Sequence, residues 1–160
     1  MRISFDIDDT LICCRPDVPC EPDCVPRFLR HWYNEPLRYG AKVLMRELIQ
    51  QGHSLWVYTT SGRSPGYLKR WFRFYGIHIA GVVNQQRHDQ VVKPEAFRHR
   101  PSKYPPSFGI DLHIDDSEGV GMEGKEHGFR TVVVSVTDLE WAGRVQASVA
   151  AIAAQEALRV

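Results

Sequence analysis

The chain has 160 residues, 24% of them charged, and a net charge of +1, values that suit a single folded domain with a sizeable core (1–160). That balance argues against a general nucleic-acid or polybasic membrane binder, and no apolar run reaches the length needed to span a bilayer. No basic segment followed by an apolar one opens the sequence, so no signal peptide is expected and a cytoplasmic protein is the default reading.

In Ile3-Ser4-Phe5-Asp6-Ile7 apolar and polar residues alternate, which predicts a strand with Asp6 at its carboxyl end. Asp8, Asp9 and Thr10 follow directly. Open α/β sheets bind ligands outside the carboxyl ends of their strands. Three carboxylates crowded there repel one another unless a cation neutralises them, so a metal site is expected.

Residues 11–26 are rich in Pro and Cys and interrupt any regular helix. Cys13, Cys14, Cys20 and Cys24 all fall here. Without a secretory signal a disulfide framework is not expected. Four thiolates could close a zinc tetrahedron, but Cys13 and Cys14 are adjacent and no Cys-x-x-Cys occurs, so reduced thiols are the preferred reading. A helical turn is expected over 25–33. A crossover helix is predicted over 36–51, with Leu37, Ala41, Leu44 and Leu48 at helical spacing, Val43 and Met45 widening the stripe, and Gly52 at its stop.

Ser54–Tyr58 reads as a strand buried on both faces, ending in Thr59-Thr60-Ser61-Gly62. Ser64 and Pro65 open a helix to about Tyr75. Its Lys69, Arg70 and Arg73 lie among Tyr67, Trp71 and Phe72, and aromatics facing the sheet with cations facing water is preferred to a nucleic-acid grip. Arg63 stands apart, in the loop before it. A third strand is expected over 77–83. Residues 84–106 read as a long polar loop with little regular structure, of the kind that carries function.

Residues 110–115 form a fourth predicted strand, again ending in acids, Asp115 and Asp116. Two strands delivering carboxylates to one sheet edge build an oxygen-rich site of the kind Mg²⁺ prefers. His113 reads as structural. Ser117 is placed to cap a helix through Glu126, where Glu118 and Glu123 lie near the acid pair but are read as solvated. A β-branched strand over 131–136 and a Thr137-x-x-Glu140 capping box follow. The box opens a last helix with Leu139, Ala142, Val145, Val149 and Ile152 at helical spacing.

With these motifs in hand, the sequence resembles the haloacid dehalogenase (HAD) superfamily of phosphohydrolases, in its small-cap form. Asp6-Ile7-Asp8-Asp9-Thr10 matches that family's Asp-x-Asp-x-Thr after an apolar strand, and Ile114-Asp115-Asp116 matches its later acidic pair. The resemblance implies a three-layer α/β fold: a doubly wound parallel sheet whose first strand is central, with a short flap (about 11–35) and no full cap domain. It implies that Asp6 attacks phosphorus and that Asp8, held in a drier setting, is the general acid and base. Asp6, the carbonyl of Asp8, Asp115 and Asp116 would hold Mg²⁺, with Asp115 ranked ahead of Asp116.

Thr59, with Thr60 in reserve, would bind the phosphoryl group, and Lys103 would neutralise it, Lys93 being the alternative. An Asp two places after the nucleophile resembles phosphatases and phosphotransferases rather than dehalogenases. A Mg²⁺-dependent phosphatase acting on a phosphorylated substrate of unknown size is therefore expected, with no nucleic-acid or membrane partner. Two other readings stay open: an idle binding module on the same fold, and a zinc-binding interaction protein built on the cysteines.

Overall fold

The structure, a computed structural model, describes residues 1–158. Five strands form one parallel sheet: β1 (Arg2–Phe5), β2 (Ser54–Tyr58), β3 (Gly81–Val83), β4 (Leu112–Asp115) and β5 (Thr131–Val133), in the order β3-β2-β1-β4-β5. Helices α1 (Ala41–Gln50), α2 (Pro65–Phe74), α3 (Gln85–Val91), α4 (Glu118–His127) and α5 (Trp141–Ala157) flank it. In β1, Phe5 stands opposite Val57 on one side and Ile114 on the other. The chain winds from β1 out to β3, then returns to the far side of β1 for β4 and β5. That reversal leaves a crevice at the carboxyl ends of β1 and β4, where open α/β sheets take their ligands.

The period-2 alternation of a strand gives the sheet two unlike faces, both covered. Ile3, Phe5, Leu55, Val57, Leu112 and Ile114 bury one face against Leu44, Met45 and Leu48 of α1, Leu68, Trp71 and Phe72 of α2, and Trp141, Val145 and Val149 of α5. Each such side chain contributes about 1.5–3 kcal/mol on burial. The other face carries Ser4, Tyr58, Val83 and His113, and is covered by Val92, Phe108 and Ile110 from the connection after β3. Two buried polar groups pair here: Ser4 and His113 are opposite one another in the ladder, joined by a 2.8 Å hydrogen bond between Oγ and Nδ1. On the same side α4 comes close to β5, because a Cβ on Gly124 would lie 2.7 Å from Thr131 Oγ1.

Several expected elements take another form. The predicted helix over 36–51 begins only at Ala41, after Gly40 at φ 88°. Arg38 N–H donates to the Leu11 carbonyl at 2.8 Å, and Leu37 pairs with Ile12, so this stretch is extended and props up the flap. Leu37 is therefore buried for a strand-like reason, while Val43 is exposed. The segment 84–106, expected to lack regular structure, contains α3, capped by the Asn84 side chain on Arg87 N–H, and 3-10 turns at Pro94–Ala96 and Pro105–Phe108.

The Thr137–Glu140 capping box does not form. Asp138 takes the Glu140 N–H at 2.9 Å, Thr137 bonds Ser135, and Leu139 is exposed ahead of α5. The flap holds isolated bridges and one 3-10 turn, Arg27–Leu29, with Val25 and Tyr33 buried beside it. Among the described residues no helix is long and apolar enough to cross a membrane.

Candidate active site

Asp6 continues the ladder past the end of β1, its N–H donating to the Ile114 carbonyl at 2.8 Å. That bond sets it beside Asp115, the last residue of β4. Carboxylate oxygens of Asp6, Asp115 and Asp116 lie within 4.8 Å of one another. Lys103 reaches between them, its Nζ 2.7 Å from Asp6 Oδ1 and 2.6 Å from Asp115 Oδ2, with its side chain only 4% exposed. One ammonium among three carboxylates leaves an excess of negative charge, costly in a buried setting. An all-oxygen donor set with that excess suits a hard divalent cation such as Mg²⁺ better than zinc.

The acids differ in character. Burial pushes Asp6 up, Lys103 pulls it back and Asp115 adds to the rise, leaving its carboxyl at about 6. Burial also acts on Asp115, but the His113 hydrogen bond and the Lys103 ammonium outweigh it and hold that carboxyl at about 2. Asp116 is raised, by burial and by Asp115. Asp115 has both oxygens engaged: Oδ1 accepts Ser117 N–H at 2.9 Å, and Oδ2 faces Lys103 and His113 Nε2, the latter at 2.8 Å. Asp116 Oδ1 accepts only the Thr10 hydroxyl, at 3.3 Å, so Asp116 has the more open oxygens of the pair.

His113, read from sequence as structural, belongs to this group. Burial holds it below its ordinary value, so the neutral ring donates Nε2–H to Asp115 and accepts the Ser4 hydroxyl at Nδ1. The signal was present, since His113-x-Asp115 on a strand puts both side chains on one face.

Asp8 corrects the expected dry setting. Its side chain is 56% exposed, and Arg63 Nη1 and Nη2 donate to its two oxygens at 2.9 and 2.8 Å. Arg63 is held in turn by Glu35, through Nε at 2.8 Å and Nη2 at 2.5 Å, and Tyr67 Oη donates to Glu35 at 2.8 Å. The turn explains why. The N–H groups of Leu11 and Ile12 both close on the Ile7 carbonyl, at 2.9 and 2.8 Å, and Asp9 adopts φ 59°. Ile7 and Thr10 go inward and Asp8 is left facing out. Asp is among the few residues that accept this left-handed conformation, a structural task for an aspartate whose role the motif leaves open.

Thr59 is buried beyond the end of β2, its N–H donating to the Val83 carbonyl and its hydroxyl accepting Ser61 N–H at 3.1 Å. Thr60 is exposed. Lys93 turns away from the acids and donates to the Asp89 carbonyl at 3.2 Å, so of the two lysines Lys103 is the one among the carboxylates. The cysteines do not converge. Cys13 donates to the Asp9 carbonyl, Cys20 to that of Val18 and Cys24 to that of Pro22. Burial pushes the Cys13 thiol up to about 11. Among the described residues the acid trio is the one group of His, Cys, Asp or Glu side chains gathered closely enough to hold a metal.

Arg38 was not visible as a site residue, because the sequence placed it in a helix. It is buried, with Nη2 donating to the carbonyls of Ser135, Val136 and Asp138 at 2.7, 3.1 and 2.9 Å, and Nη1 to Thr10 at 3.3 Å. It ties the flap's root to the loop after β5 and to the Asp6–Thr10 turn.

No family model and no curated protein matches the sequence. Solved structures do match the fold. A chain of the Pnkp1/Rnl/Hen1 complex is similar over 86% of this chain and 47% of its own length, at 19% identity and a TM-score of 0.51. This chain thus spans about half the length of that one. A HAD-superfamily hydrolase of subfamily IA, variant 1, from Geobacter sulfurreducens PCA is similar over 82% of this chain and 85% of its own, at 14% identity and a TM-score of 0.50. At such identities the likeness is one of fold: a Rossmann-like core of the kind found in a HAD-superfamily hydrolase, with its acids at the carboxyl edge of a parallel sheet.

Proposed function

We propose that the protein is a Mg²⁺-dependent phosphatase that hydrolyses a phosphate monoester through an aspartyl-phosphate on Asp6. The observation that carries this reading is the Lys103 ammonium set between Asp6 and Asp115, with Asp116 completing an oxygen-only group within 4.8 Å. Uncatalysed monoester hydrolysis is so slow that charge neutralisation and positioning must supply most of the acceleration. This group supplies both.

Asp6, Asp115, Asp116 and the backbone carbonyl of Asp8 would hold the cation. When bound, Mg²⁺ screens the carboxylate from the anionic phosphate and lets the two approach. A carboxylate oxygen of Asp6 attacks phosphorus as the bond to the ester oxygen breaks. Asp8 gives that leaving oxygen a proton, then takes one from the water that attacks the aspartyl-phosphate and frees Asp6. To do so an oxygen of Asp8 leaves its bond to Arg63. Lys103 and the Thr59 hydroxyl, with Thr60 in reserve, hold the phosphoryl oxygens. The open surroundings of Asp8 suit a large phosphorylated substrate or a small one.

The test is a panel of phosphate esters incubated with Mg²⁺. Phosphate release that vanishes with chelator and in Asp6→Asn is expected. A folded protein silent across a broad panel would overturn the assignment.

A further inference from the structure

Lys103 lies in a stretch without regular structure, yet its ammonium must meet two carboxylates at once. The backbone on either side of it is held in an unusual way. Three consecutive amides are taken by side chains: Ser102 N–H by Glu123 Oε1 at 2.9 Å, Lys103 N–H by Glu123 Oε2 at 3.4 Å, and Tyr104 N–H by Tyr58 Oη at 2.8 Å. The Ser102 hydroxyl adds a fourth bond, to Glu123 Oε2 at 2.9 Å. Glu123 comes from α4 and Tyr58 from the end of β2, so the lysine's segment is clamped from two independent elements.

Tyr58 is itself fixed. It is fully buried, and its hydroxyl lies 2.5 Å from His88 Nδ1 on α3. The phenol oxygen accepts the Tyr104 N–H and shares a further hydrogen bond with His88 Nδ1. Glu123 uses a charged acceptor for neutral amide and hydroxyl donors, the stronger class of hydrogen bond. Neither residue hydrogen-bonds Asp6 or Asp115, although the Tyr58 ring packs against His113. Both act on the backbone from which Lys103 projects.

We propose that Glu123 and Tyr58 are positioning residues for Lys103, holding its loop so that the ammonium stays between Asp6 and Asp115. The kinetic part of this inference rests on the phosphatase reading; the structural part does not. The test therefore reads Lys103 directly. Wild-type protein and variants are treated with an amine-acetylating reagent, and the labelling rate of each lysine is followed by mass spectrometry, with the exposed Lys93 and Lys125 as internal references.

Wild-type Lys103, buried and ion-paired, labels slowly. Glu123→Ala raises its rate relative to the references by about tenfold, and Tyr58→Phe by a smaller factor, as expected for losing hydrogen bonds that hold the loop. Lys93 and Lys125 do not change. An unchanged Lys103 rate in a variant that still melts cooperatively overturns the proposal. If Glu123→Ala does not fold, Glu123→Gln, which keeps the bulk and one acceptor, is judged by the same criterion with an expected rise of about threefold.

On whichever ester the wild type hydrolyses, kcat in Glu123→Ala falls about tenfold and Glu123→Gln recovers part of it. An inactive wild type sinks the phosphatase reading and leaves the labelling result to decide the positioning role. Unchanged labelling sinks the positioning role and leaves the phosphatase reading intact.

Discussion

Asp6 and Asp8 are the same residue type, two positions apart with Ile7 between them, and the fold treats them as opposites. Asp6 is buried, shares a lysine with a second acid, and has its carboxyl pushed up to about 6. Asp8 is in solvent and clasped by Arg63, which Glu35 and Tyr67 support. In the inner half the charges are few, dry and interdependent. In the outer half they are wet and exchangeable. The difference teaches that burial makes each inner charge depend on its neighbours, whereas water screens the outer ones from theirs.

The comparison is broken most severely at Lys103. Lys103→Met leaves Asp6 and Asp115 buried without their counter-charge, and removing one partner of a buried pair costs about 3–5 kcal/mol. Urea unfolding without Mg²⁺ should show that loss, and added Mg²⁺ should restore part of it by taking over the neutralisation. A loss under about 1 kcal/mol would mean the inner half is as solvated as the outer.

A pH series is the next largest effect. Asp6 is raised to about 6, so its proton must leave before the carboxylate can hold a cation. Mg²⁺ affinity should be about tenfold weaker at pH 5 than at pH 7.5, read by calorimetry, and Asp8→Asn should leave that ratio unchanged. For the metal-free protein the signs oppose. A raised folded carboxyl means that Asp6 takes stability away as pH rises from about 4 to about 6. A depressed one means that Asp115 adds stability above about pH 4, lost as pH falls toward about 2.

The sequence showed the inner half better than the outer. Asp6, Asp115 and Asp116 announced themselves because each follows an apolar strand, and strand ends in an open sheet have only one edge to share. Their gathering within 4.8 Å at the edge beside the central strand follows from that pattern. Lys103 ranks ahead of Lys93 in the sequence only by its nearness to the fourth strand, because a long connection carries no register. What separates them is that the chain after β3 covers the polar face of the sheet, the face bearing His113 and Asp115, and brings Lys103 there. Asp8's exposure depended on a turn closed by Ile7, Leu11 and Ile12, which no spacing rule encodes. Arg38 is not legible as a site residue, and Glu123 reads as solvated, because both bind backbone groups far away in the chain, and backbone carries no side-chain signature.

The turn that turns Asp8 outward can be tested at Asp9. With φ 59°, Asp9 sits where β-branched residues are strained and glycine is not. Asp9→Val should cost about 1–2 kcal/mol in thermal unfolding, and Asp9→Gly should cost little. Both variants keep the inner acids, so Mg²⁺ affinity should hold in the glycine variant. A tolerated valine would show that the turn does not need this conformation.

Arg63→Ala should have the smallest effect on stability and the most telling one on function. An exposed pair such as Arg63–Asp8 contributes about 0.5 kcal/mol, because water screens it and two side chains lose freedom in forming it. The contact to Glu35 is more sheltered, with side chains 23% and 19% exposed, but Tyr67 still donates to Glu35 when the guanidinium is gone. Thermal unfolding should therefore move little, and less still in high salt. Turnover is different: Arg63 sets where the Asp8 carboxyl sits when no substrate is present, so its loss should change kcat for phosphate esters while the Mg²⁺ affinity of the Asp6 group stays as in the wild type. If instead Mg²⁺ affinity fell along with kcat, the two halves would be one coupled unit, and the separation between a buried charge-holding half and an exposed proton-handling half would not stand.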